Sequence, residues 1–541
     1  MKSKVFVWAL PLVAAAIFWT GFQTARDDDF YAMRKNFELF GGVYEQVVSS
    51  YMVRVDPERF MRTGMDAMLE TLDPWTDFLD EADNAAMQLR SQSGFGEVVI
   101  NLGNRGGRVT VLSPDADVGA YRQGMRTGDA VVVVAGQSAD SLTVSDVRGL
   151  LRGEPGTTVS VTVERSGTGF LDFNLKREAP VVHYVSFADR VEGTNVALVR
   201  LDAFGPGATN EIDNALEDLS QSGPLDGMIL DLRDNPGGLV IESINLVGLF
   251  VPKGTPVVST RGRAPESNRL YSTSEEPDWG DLNLTLLVNR GSASASEIVS
   301  GALQDLDRAV VIGEPTFGKG LVQVVRPMPY HTAMKITYSR YFTPAGRGIR
   351  KDALEADGLP MKSFRTTNGR TVREGNGIEP DVSRESGTVS DLEMALIREA
   401  AFFRFAGEYA LTRGEEIRAA TRVSGKLQLP DDAVAEFRDW LRRDDFTFTT
   451  QLDEKLDGLS PLAWRPDAAE PLRQLRLISA QMGEEMFREA DDRIRARLAD
   501  EVATRVLEPE ERVRLLLRSD QAVGDAVAIL TGPRYETLLG S

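Results

Sequence analysis

The spacing of apolar and polar positions changes several times along the chain and divides it into regions. Residues 26–90 carry apolar residues at helical intervals, and Pro57 stands in the first turn of a second predicted helix. Residues 91–178 instead hold short β-rich runs separated by glycine and aspartate turns, with one short helix among them. From residue 390 to the end the pattern is helical again and strongly charged.

Strands and helices alternate between residues 180 and 385. Strands are predicted at 195–204, 225–238, 284–289 and 308–313, and helices at 208–221, 240–251 and 296–306. This repeated βαβ order predicts an α/β core with a partly parallel sheet. Two later runs, 321–327 and 333–343, are predicted to form an antiparallel pair that closes one edge of that sheet.

The N-terminus has the pattern of an export signal. Lys2 and Lys4 precede an uncharged apolar run at 5–22, and acidic residues follow it. Cleavage near Ala25 would place Gln23, which is not small, at the −3 position. An uncleaved anchor in the inner membrane is therefore the favoured interpretation, since the run is close to the length that spans a bilayer. In either case we expect the chain to work in the periplasm, outside the cytoplasm.

The amino-acid composition excludes or disfavours several classes of binding and catalytic site. The net charge is −20, which disfavours nucleic acid as a partner. The 541 residues include no cysteine, so disulfides, thiolate metal sites and cysteine nucleophiles are excluded. The two histidines, His183 and His331, lie far apart in the sequence. We therefore expect neither a metal nor another cofactor.

A serine-rich turn is the first candidate for chemistry. The segment 291–297 reads Gly-Ser-Ala-Ser-Ala-Ser-Glu between a predicted strand and a predicted helix. The first N–H groups of a helix lack intrahelical partners, and they can stabilise an oxyanion that develops on a substrate. From its position alone, however, Ser294 or Ser296 is most simply a helix N-cap.

Two other loops carry candidate partners. Lys319 lies between Gly318 and Gly320, where loss of water would lower its pKa and make it a general base. A Ser–Lys pair needs no histidine. Alone, a lysine in such a loop is more often an exposed turn residue. Gln323, four residues later, can orient the lysine amine or serve as a polar residue of an edge strand.

The Gly237-Gly238 turn lets an N–H group approach a substrate closely, or is simply a tight turn.

Taken together, these segments resemble the C-terminal processing peptidases, also called tail-specific proteases. The matching stretches are LDPWTDFL, MILDLRDNPGGLV, SASASEI, GEPTFGKGLVQ, YFTPAGRGI and GIEPDV, in the order of that family, across roughly residues 35–385. The resemblance implies a serine endopeptidase with Ser294 as nucleophile, Lys319 as general base and Gln323 as the residue that orients the lysine.

The same resemblance suggests roles for the neighbouring residues. The N–H of Ala295, together with that of Gly237 or Gly238, would form the oxyanion hole. Ser296 would then cap the helix, and Ser292 would shape the turn.

The β-rich region at 91–178 resembles a PDZ domain through GFGEVV, QGMRTGDAVVVVAGQ and LLRGEPGTTVSVTVER. PDZ domains bind peptide C-termini at a sheet edge, with loop N–H groups on the terminal carboxylate. In this chain that loop would be Gly94, Phe95 and Gly96, and the next residue, Glu97, would repel a carboxylate.

The fold class expected from these observations is a multidomain α+β protein. Its parts are a signal or anchor at 1–25, helices at 26–90, a PDZ domain at 91–178, a protease core of the ClpP/crotonase type at 179–389 and a helical extension at 390–541. The resemblance implies an acyl-enzyme mechanism on proteins with unstructured C-termini. The extension would cap the site, bind an adaptor or mediate a homodimer.

Two other functions compete with this interpretation. A non-catalytic PDZ-bearing scaffold on a protease fold predicts the loss of Ser294, Lys319 or Gln323, and all three are present. An enzyme acting on short oligopeptides, like the tricorn-type relatives, is disfavoured because a PDZ domain before the core suits recognition of longer protein tails.

Overall fold

A computed structural model describes residues 27–84, 98, 100–113, 119–178, 183–351, 362–384, 389–444, 446–448, 451–459 and 465–540. The chain forms two compact units, of which the smaller comprises residues 1–86 with 323–337 and the larger comprises 87–322 with 338–541. The export segment predicted at 5–22 and the loop predicted at Gly94, Phe95 and Gly96 lie outside the described residues. Among the described helices, none is both long enough and apolar enough to cross a membrane.

The strands are numbered in chain order. They are β1 Asp77–Leu79, β2 Asn101–Arg105, β3 Arg108–Ser113, β4 Ala130–Val134, β5 Gln137–Ser138, β6 Thr158–Arg165, β7 Gly169–Lys176, β8 Val185–Arg190, β9 Val196–Leu201, β10 Gly227–Asp231, β11 Pro256–Arg261, β12 Arg269–Ser272, β13 Leu284–Val288, β14 Ala309–Gly313, β15 Leu321–Pro327, β16 Ala333–Phe342, β17 Ser363–Arg365, β18 Thr371–Arg373 and β19 Val382–Ser383.

The helices follow the same convention. They are α1 Asp27–Ser50, α2 Pro57–Glu70, α3 Gly119–Arg122, α4 Val144–Leu151, α5 Ala208–Gln221, α6 Val240–Gly248, α7 Ala295–Asp305, α8 Asp391–Arg398, α9 Ala401–Ser424, α10 Ala433–Arg443, α11 Gln451–Gly458, α12 Pro466–Glu489, α13 Asp491–Val506, α14 Pro509–Ser519, α15 Gln521–Leu530 and α16 Arg534–Leu538.

The smaller unit contains the two helices that the sequence predicts, α1 and α2. The carboxylate of Asp56 caps α2 by accepting the N–H groups of Glu58 and Arg59, and Pro57 opens the first turn. Within this unit β1 pairs antiparallel with residues 333–335 of β16.

The β-rich domain is an antiparallel sheet in the order β2-β3-β4-β6-β7, with β5 paired to β4. Its helix α4 begins with a capping box, in which Thr143 and Asp146 satisfy each other's backbone N–H groups. Alternate strand residues and one helix face form its own core, which includes Val111, Val163 and Val147.

The central sheet has the order β19-β14-β13-β10-β9-β8. All of its pairs are parallel except β8 with β9, which confirms the predicted α/β core. Helices α5, α6 and α7 pack on one face and share a core that includes Ile212, Ile244 and Ile298. Every residue of β10 and β13 is buried, so these strands are fixed at the centre of the sheet.

The last two helices cover the other face of the central sheet. Ile529 of α15 and Tyr535 of α16 pack with Ile229 and Leu287 of the strands in one apolar cluster. The hydroxyl of Tyr535 accepts the N–H of Leu284 over 2.9 Å. The described part of the predicted helical extension at 390–541 is helical, and its last two helices also bury one face of the central sheet.

Helices α8–α10 and α13 have a separate core built around Phe402, Phe405, Phe437 and Trp440. Their rings contact one another, with the centroids of Phe402 and Phe437 5.3 Å apart. This part of the C-terminal region is the helical domain that the sequence predicts.

The strand pair predicted to close the edge of the central sheet lies elsewhere. β15 pairs with β16, and residues 340–342 of β16 pair antiparallel with β11, which in turn pairs with β12. These strands belong to a separate sheet. The apolar runs that predict strands do not specify which sheet a strand joins.

Candidate active site

Two loops meet where the parallel strands β10 and β13 end. Asn235, which is fully buried, joins them: its backbone carbonyl accepts the N–H of Ala293 over 3.0 Å and the hydroxyl of Ser296 over 3.0 Å. Its side-chain amide donates to the carbonyl of Leu201 over 2.7 Å. The side chain of Asn289 adds a second link, since its Oδ1 accepts the N–H of Asp234 over 2.9 Å. The two loops are thereby held as one rigid surface.

Ser294 occupies the N-cap position of α7 in an unusual conformation. Its φ is 56° and its ψ is −111°, a region that costs a non-glycine residue backbone strain. The side chain is half-buried. Such strain is characteristic of functional turns, and here it places Ser294 at the start of an eleven-residue helix.

The other two serines have structural roles. The hydroxyl of Ser292 donates to the carbonyl of Leu232 over 2.7 Å and accepts the N–H of Asn289, so it shapes the turn as predicted. Ser296 does not cap the helix, contrary to the prediction. It lies inside α7, and its hydroxyl donates to Asn235 because the first turn of the helix faces the neighbouring loop.

The glycine turn lies directly against the serine turn. A Cβ placed on Gly237 would lie 2.7 Å from the Cβ of Ser294 and 2.8 Å from the nitrogen of Ala295. The φ of Gly237 is 100°, which also favours glycine. No other residue type fits this position without moving the serine turn.

The N–H groups around Ser294 differ in their partners. Gly237 already donates its N–H to Oδ1 of Asn235 over 2.9 Å. The N–H groups of Gly238 and Ala295 have no acceptor among the described residues. Of the two glycines considered from sequence, Gly238 thus has the N–H that is available to another molecule.

Glu297 joins the serine turn to the lysine loop. Its side chain is fully buried, and its Oε2 accepts the N–H of Ser294 and the N–H of Lys319, each over 3.0 Å. Its Oε1 accepts the hydroxyl of Thr316 and the N–H of Gly318, each over 2.6 Å. Since both N–H groups bind one oxygen atom, the backbone nitrogens of Ser294 and Lys319 lie no farther apart than twice 3.0 Å.

Burial of Glu297 raises the pKa of its carboxyl group, and the four hydrogen bonds that it accepts oppose this rise only in part. A backbone contact also joins the lysine loop to the serine turn. Phe317 donates its N–H to the carbonyl of Ser292 over 3.0 Å. The half-buried Lys319 is thus held beside the serine turn by its own backbone and by that of its neighbour.

Gln323 belongs to the smaller unit and lies in β15, as the sequence predicts. Its amide nitrogen donates to the carbonyl of Trp75 over 2.7 Å. Trp75 is held in turn by Asp73, whose Oδ1 accepts the N–H of Trp75 over 2.8 Å. The LDPWTDFL segment therefore supports the side chain of Gln323.

Sequence reasoning missed Glu297 and Asn235. Glu297 had one signal, since it is an acidic residue among the apolar positions that begin a predicted buried helix, where a charge requires partners. Asn235 had none, because asparagine before Pro-Gly-Gly is an ordinary turn residue. No group of three or more His, Asp or Glu side chains that could hold a metal ion occurs within the part of the chain that the structure describes.

Comparisons with known proteins identify the family. Residues 195–359 match the family model "Peptidase family S41", and residues 392–530 match "Probable PDZ-protease, C-terminal helical domain". A carboxy-terminal-processing protease of Bartonella bacilliformis is 32% identical, over 63% of this chain and 80% of its own length. The chain belongs to the carboxy-terminal processing proteases.

The chain is also similar to two other processing proteases. The carboxy-terminal processing protease CtpA of Bacillus subtilis is 27% identical over 59% of this chain and 68% of its own length. Among solved structures, a photosystem II D1 C-terminal processing protease is 27% identical over 65% of this chain and 94% of its own, with a TM-score of 0.36. The resemblance to the C-terminal processing peptidases that was inferred from the sequence is confirmed. Membership of this family makes the protein a serine protease.

Proposed function

We propose that this protease cleaves proteins near their C-termini, with Ser294 as nucleophile, Lys319 as general base and Gln323 as the residue that orients the lysine amine. The observation that carries the proposal is the bridge made by Glu297, whose Oε2 holds the backbone N–H groups of Ser294 and Lys319 together. The buried carboxylate of Glu297 therefore fixes the relative positions of two loops, although Ser294 and Lys319 are 25 residues apart in the sequence.

The proposed reaction proceeds through an acyl-enzyme. The neutral amine of Lys319 takes the proton of the Ser294 hydroxyl as Oγ bonds to the substrate carbonyl carbon. The ammonium then returns that proton to the leaving nitrogen, and the peptide C–N bond breaks. Water, deprotonated by the same amine, attacks the ester, and the new C-terminal carboxylate leaves as Ser294 regains its proton.

The oxyanion formed in each step would accept the N–H groups of Ala295 and Gly238. Both groups lack an acceptor among the described residues, whereas Gly237 already donates to Asn235. Ala295 is also the first residue of α7, where the helix dipole favours negative charge. Gly237 then contributes by having no side chain at a point where a Cβ would meet Ser294.

We further propose that the β-rich domain is a PDZ domain that engages the substrate tail. An antiparallel sheet with α4 across it, and the match of residues 392–530 to a helical domain described as that of a PDZ-protease, support this assignment. The carboxylate loop would be Gly94, Phe95 and Gly96. The domain limits predicted from sequence, with 91–178 before a core at 179–389, stay part of this proposal.

The site of action proposed is the periplasm, with residues 5–22 as a membrane anchor or as a signal removed near Ala25. The apolar run and its flanking charges support this placement. Substrate proteins with unstructured C-termini are the expected partners. A homodimer or an adaptor bound through the helical domain is a secondary expectation.

Substrate trapping tests the proposal. Ser294→Ala protease, expressed in its native compartment and recovered with its bound proteins, is expected to retain chains with related C-terminal residues. The control is wild-type protease, which would release its cleaved products. If both proteins retain the same set, or if the retained chains share no C-terminal feature, recognition of C-terminal tails is wrong.

A further inference from the structure

A cavity of about 880 Å³ lies within the larger unit between the β-rich domain and the helical domain. Neither Ser294 nor Lys319 lines it. Nine arginines contribute to its wall. Four glutamates oppose them: Glu408, Glu415, Glu508 and Glu511. Arginines thus outnumber carboxylates among the residues that line the cavity, although the whole chain has a net charge of −20.

Several of these guanidinium groups are fixed by stacking on aromatic rings. Arg105 and Arg505, from different domains, lie over the same ring of Phe403, at 5.4 and 4.4 Å from its centroid. Two further pairs repeat the arrangement: Arg404 over Trp440 at 5.1 Å, and Arg126 over Tyr121 at 4.3 Å. Stacking on a ring face leaves the donor edge of a guanidinium available and oriented, which suits planar carboxylates.

The arginines differ in whether a carboxylate already neutralises them. Arg165 is paired with the buried Asp129 over 2.7 Å, and Arg512 with Asp500 over 2.6 Å. Three others are also paired: Arg108 with Glu164, Arg404 with Asp444 and Arg418 with Glu415. Arg105, Arg126 and Arg422 have no carboxylate partner among the residues that the structure describes. Arg505, whose side chain is 7% exposed, is paired with Glu501 over 3.3 Å, although its Nε has no acceptor among the described residues. Arg105, Arg126 and Arg422 are therefore the arginines of the wall that are free to pair with a carboxylate of another molecule.

We propose that this cavity binds an acidic stretch of the substrate polypeptide, at a distance along the substrate from the bond that is cleaved. The inference rests on the proposed function, since it names the class of protein that the protease prefers. A volume of about 880 Å³ suits several residues of a peptide rather than a single small anion. Apolar wall residues such as Leu411, which is 59% exposed, add contacts for the carbon chain of a bound peptide.

Charge explains why such a site is useful to this protease. A chain with a net charge of −20 repels acidic polypeptides, and salt screens that repulsion only beyond a Debye length of about 8 Å at physiological ionic strength. Arginines without carboxylate partners in the cavity would attract acidic polypeptides at one place on the surface. Acidic substrates would then be held while their tails reach the active site.

Direct binding tests the proposal without requiring catalysis. The probes are two fluorescent peptides of equal length, one rich in glutamate and one with glutamine at those positions, and the protein is the full chain with Ser294→Ala. Fluorescence anisotropy is expected to show at least about tenfold tighter binding of the glutamate peptide, with the difference shrinking as NaCl is raised. Equal binding of the two peptides would overturn the proposal.

Variants locate the binding. The triple variant Arg105→Gln, Arg126→Gln and Arg422→Gln is expected to remove the preference for the glutamate peptide. The matched control, Arg442→Gln with Arg473→Gln and Arg476→Gln, loses the same charge at exposed positions that do not line the cavity and is expected to keep it. Preserved preference in the first variant, or loss in both, would contradict the assignment of the cavity. Inorganic phosphate is the competing probe. If millimolar phosphate displaces the fluorescent glutamate peptide as strongly as unlabelled glutamate peptide does, the cavity is a site for small anions instead.

Kinetics separates this inference from the proposed function. Two protein substrates share one C-terminus, and only one of them has an acidic stretch upstream. We expect the wild-type protease to show a lower KM for the acidic substrate and the same kcat for both. The triple variant should remove the KM difference and leave the neutral substrate unaffected. If the glutamate peptide binds but neither substrate is cleaved, the proposed function fails while the acidic site stands; equal KM values for the two substrates overturn the acidic site alone.

Discussion

Ser294 and Lys319 donate their backbone N–H groups to one oxygen atom, Oε2 of Glu297, each over 3.0 Å. The relative position of nucleophile and proposed base is thus set by backbone groups that a buried carboxylate holds, and it does not depend on the flexible lysine chain. Four donors converge on Glu297, which makes it the structural centre of the site.

Glu297→Gln is expected to lower kcat/KM for an unstructured protein substrate by roughly 10²-fold, because small displacements of reacting groups cost about that much. The amide nitrogen of glutamine cannot accept the N–H groups that the carboxylate oxygen accepts, so one of the two loops must move. Steady-state cleavage of an unstructured protein measures the effect.

Glu242→Gln is the matched control for that variant. Glu242 is also buried, and its carboxylate accepts the N–H groups of Gly207 and Thr209 at the start of α5. We expect a similar loss of thermal stability and a much smaller loss of activity. Equal losses of activity in the two variants would show that Glu297 acts only through folding.

Gly237→Ala is expected to reduce kcat by about 10²–10³-fold, the range seen when an oxyanion-hole donor is lost. Its Cβ would lie 2.7 Å from that of Ser294 and would displace the serine turn. Gly193→Ala carries the same strain of a positive φ, at 73°, but meets no atom within 4 Å. Kinetics of both variants, with thermal unfolding as the reference, should show this reduction in kcat for Gly237→Ala only. Comparable activity in the two would contradict the close approach.

Asp73→Asn is expected to destabilise the protein at neutral pH but not in acid. Burial raises the pKa of Asp73, but hydrogen bonds from Trp75, Thr337 and Thr76 outweigh it and leave the pKa below its ordinary value. A lowered pKa in the folded state stabilises above the unfolded pKa, and that stability is lost as pH falls through the folded value. Urea unfolding should show a difference of about 1 kcal/mol at pH 7 that begins to shrink near about pH 4 and disappears once the pH is below the folded-state pKa of Asp73. A difference that is independent of pH would rule out this origin.

Ile529→Asp is expected to unfold the protease core, since Ile529 is 2% exposed in the cluster that covers the central sheet. Burying an unpaired carboxylate costs several kcal/mol. Ala528→Asp, at an exposed position of the same helix, is the control and should change the melting temperature little. Thermal unfolding measures both. An unchanged melting temperature for Ile529→Asp would mean that α15 is dispensable.

The sequence predicted the elements around the site better than the contacts between them. The turn at Ser294 and the spacing to Lys319 depend on local patterns, so α7, β13 and β14 were all found close to their observed limits. Glu297 and Asn235 act across loops that lie far apart in the sequence, and no periodicity reports such contacts.

The same limit applies to the packing of the C-terminal helices. The sequence of α15 is almost entirely apolar around one glycine and one aspartate, which indicates burial but not against which surface. Only the folded arrangement shows that the second face of the sheet, with Leu198 and Ile312, needs this helix. The strand pair of β15 and β16 was assigned to the wrong sheet for an equivalent reason.

The role of Lys319 as general base is tested most directly by the cleavage rate of Lys319→Ala on an unstructured protein, measured from pH 7 to pH 10 with Ser294→Ala as the background. Because the base must be neutral to accept a proton, wild-type activity should rise with pH across this range. Lys319→Ala should show no cleavage above the Ser294→Ala background at any pH, while its melting temperature stays close to that of the wild type. A Lys319→Ala protein that cleaves at a rate near that of the wild type would contradict the Ser294–Lys319 mechanism.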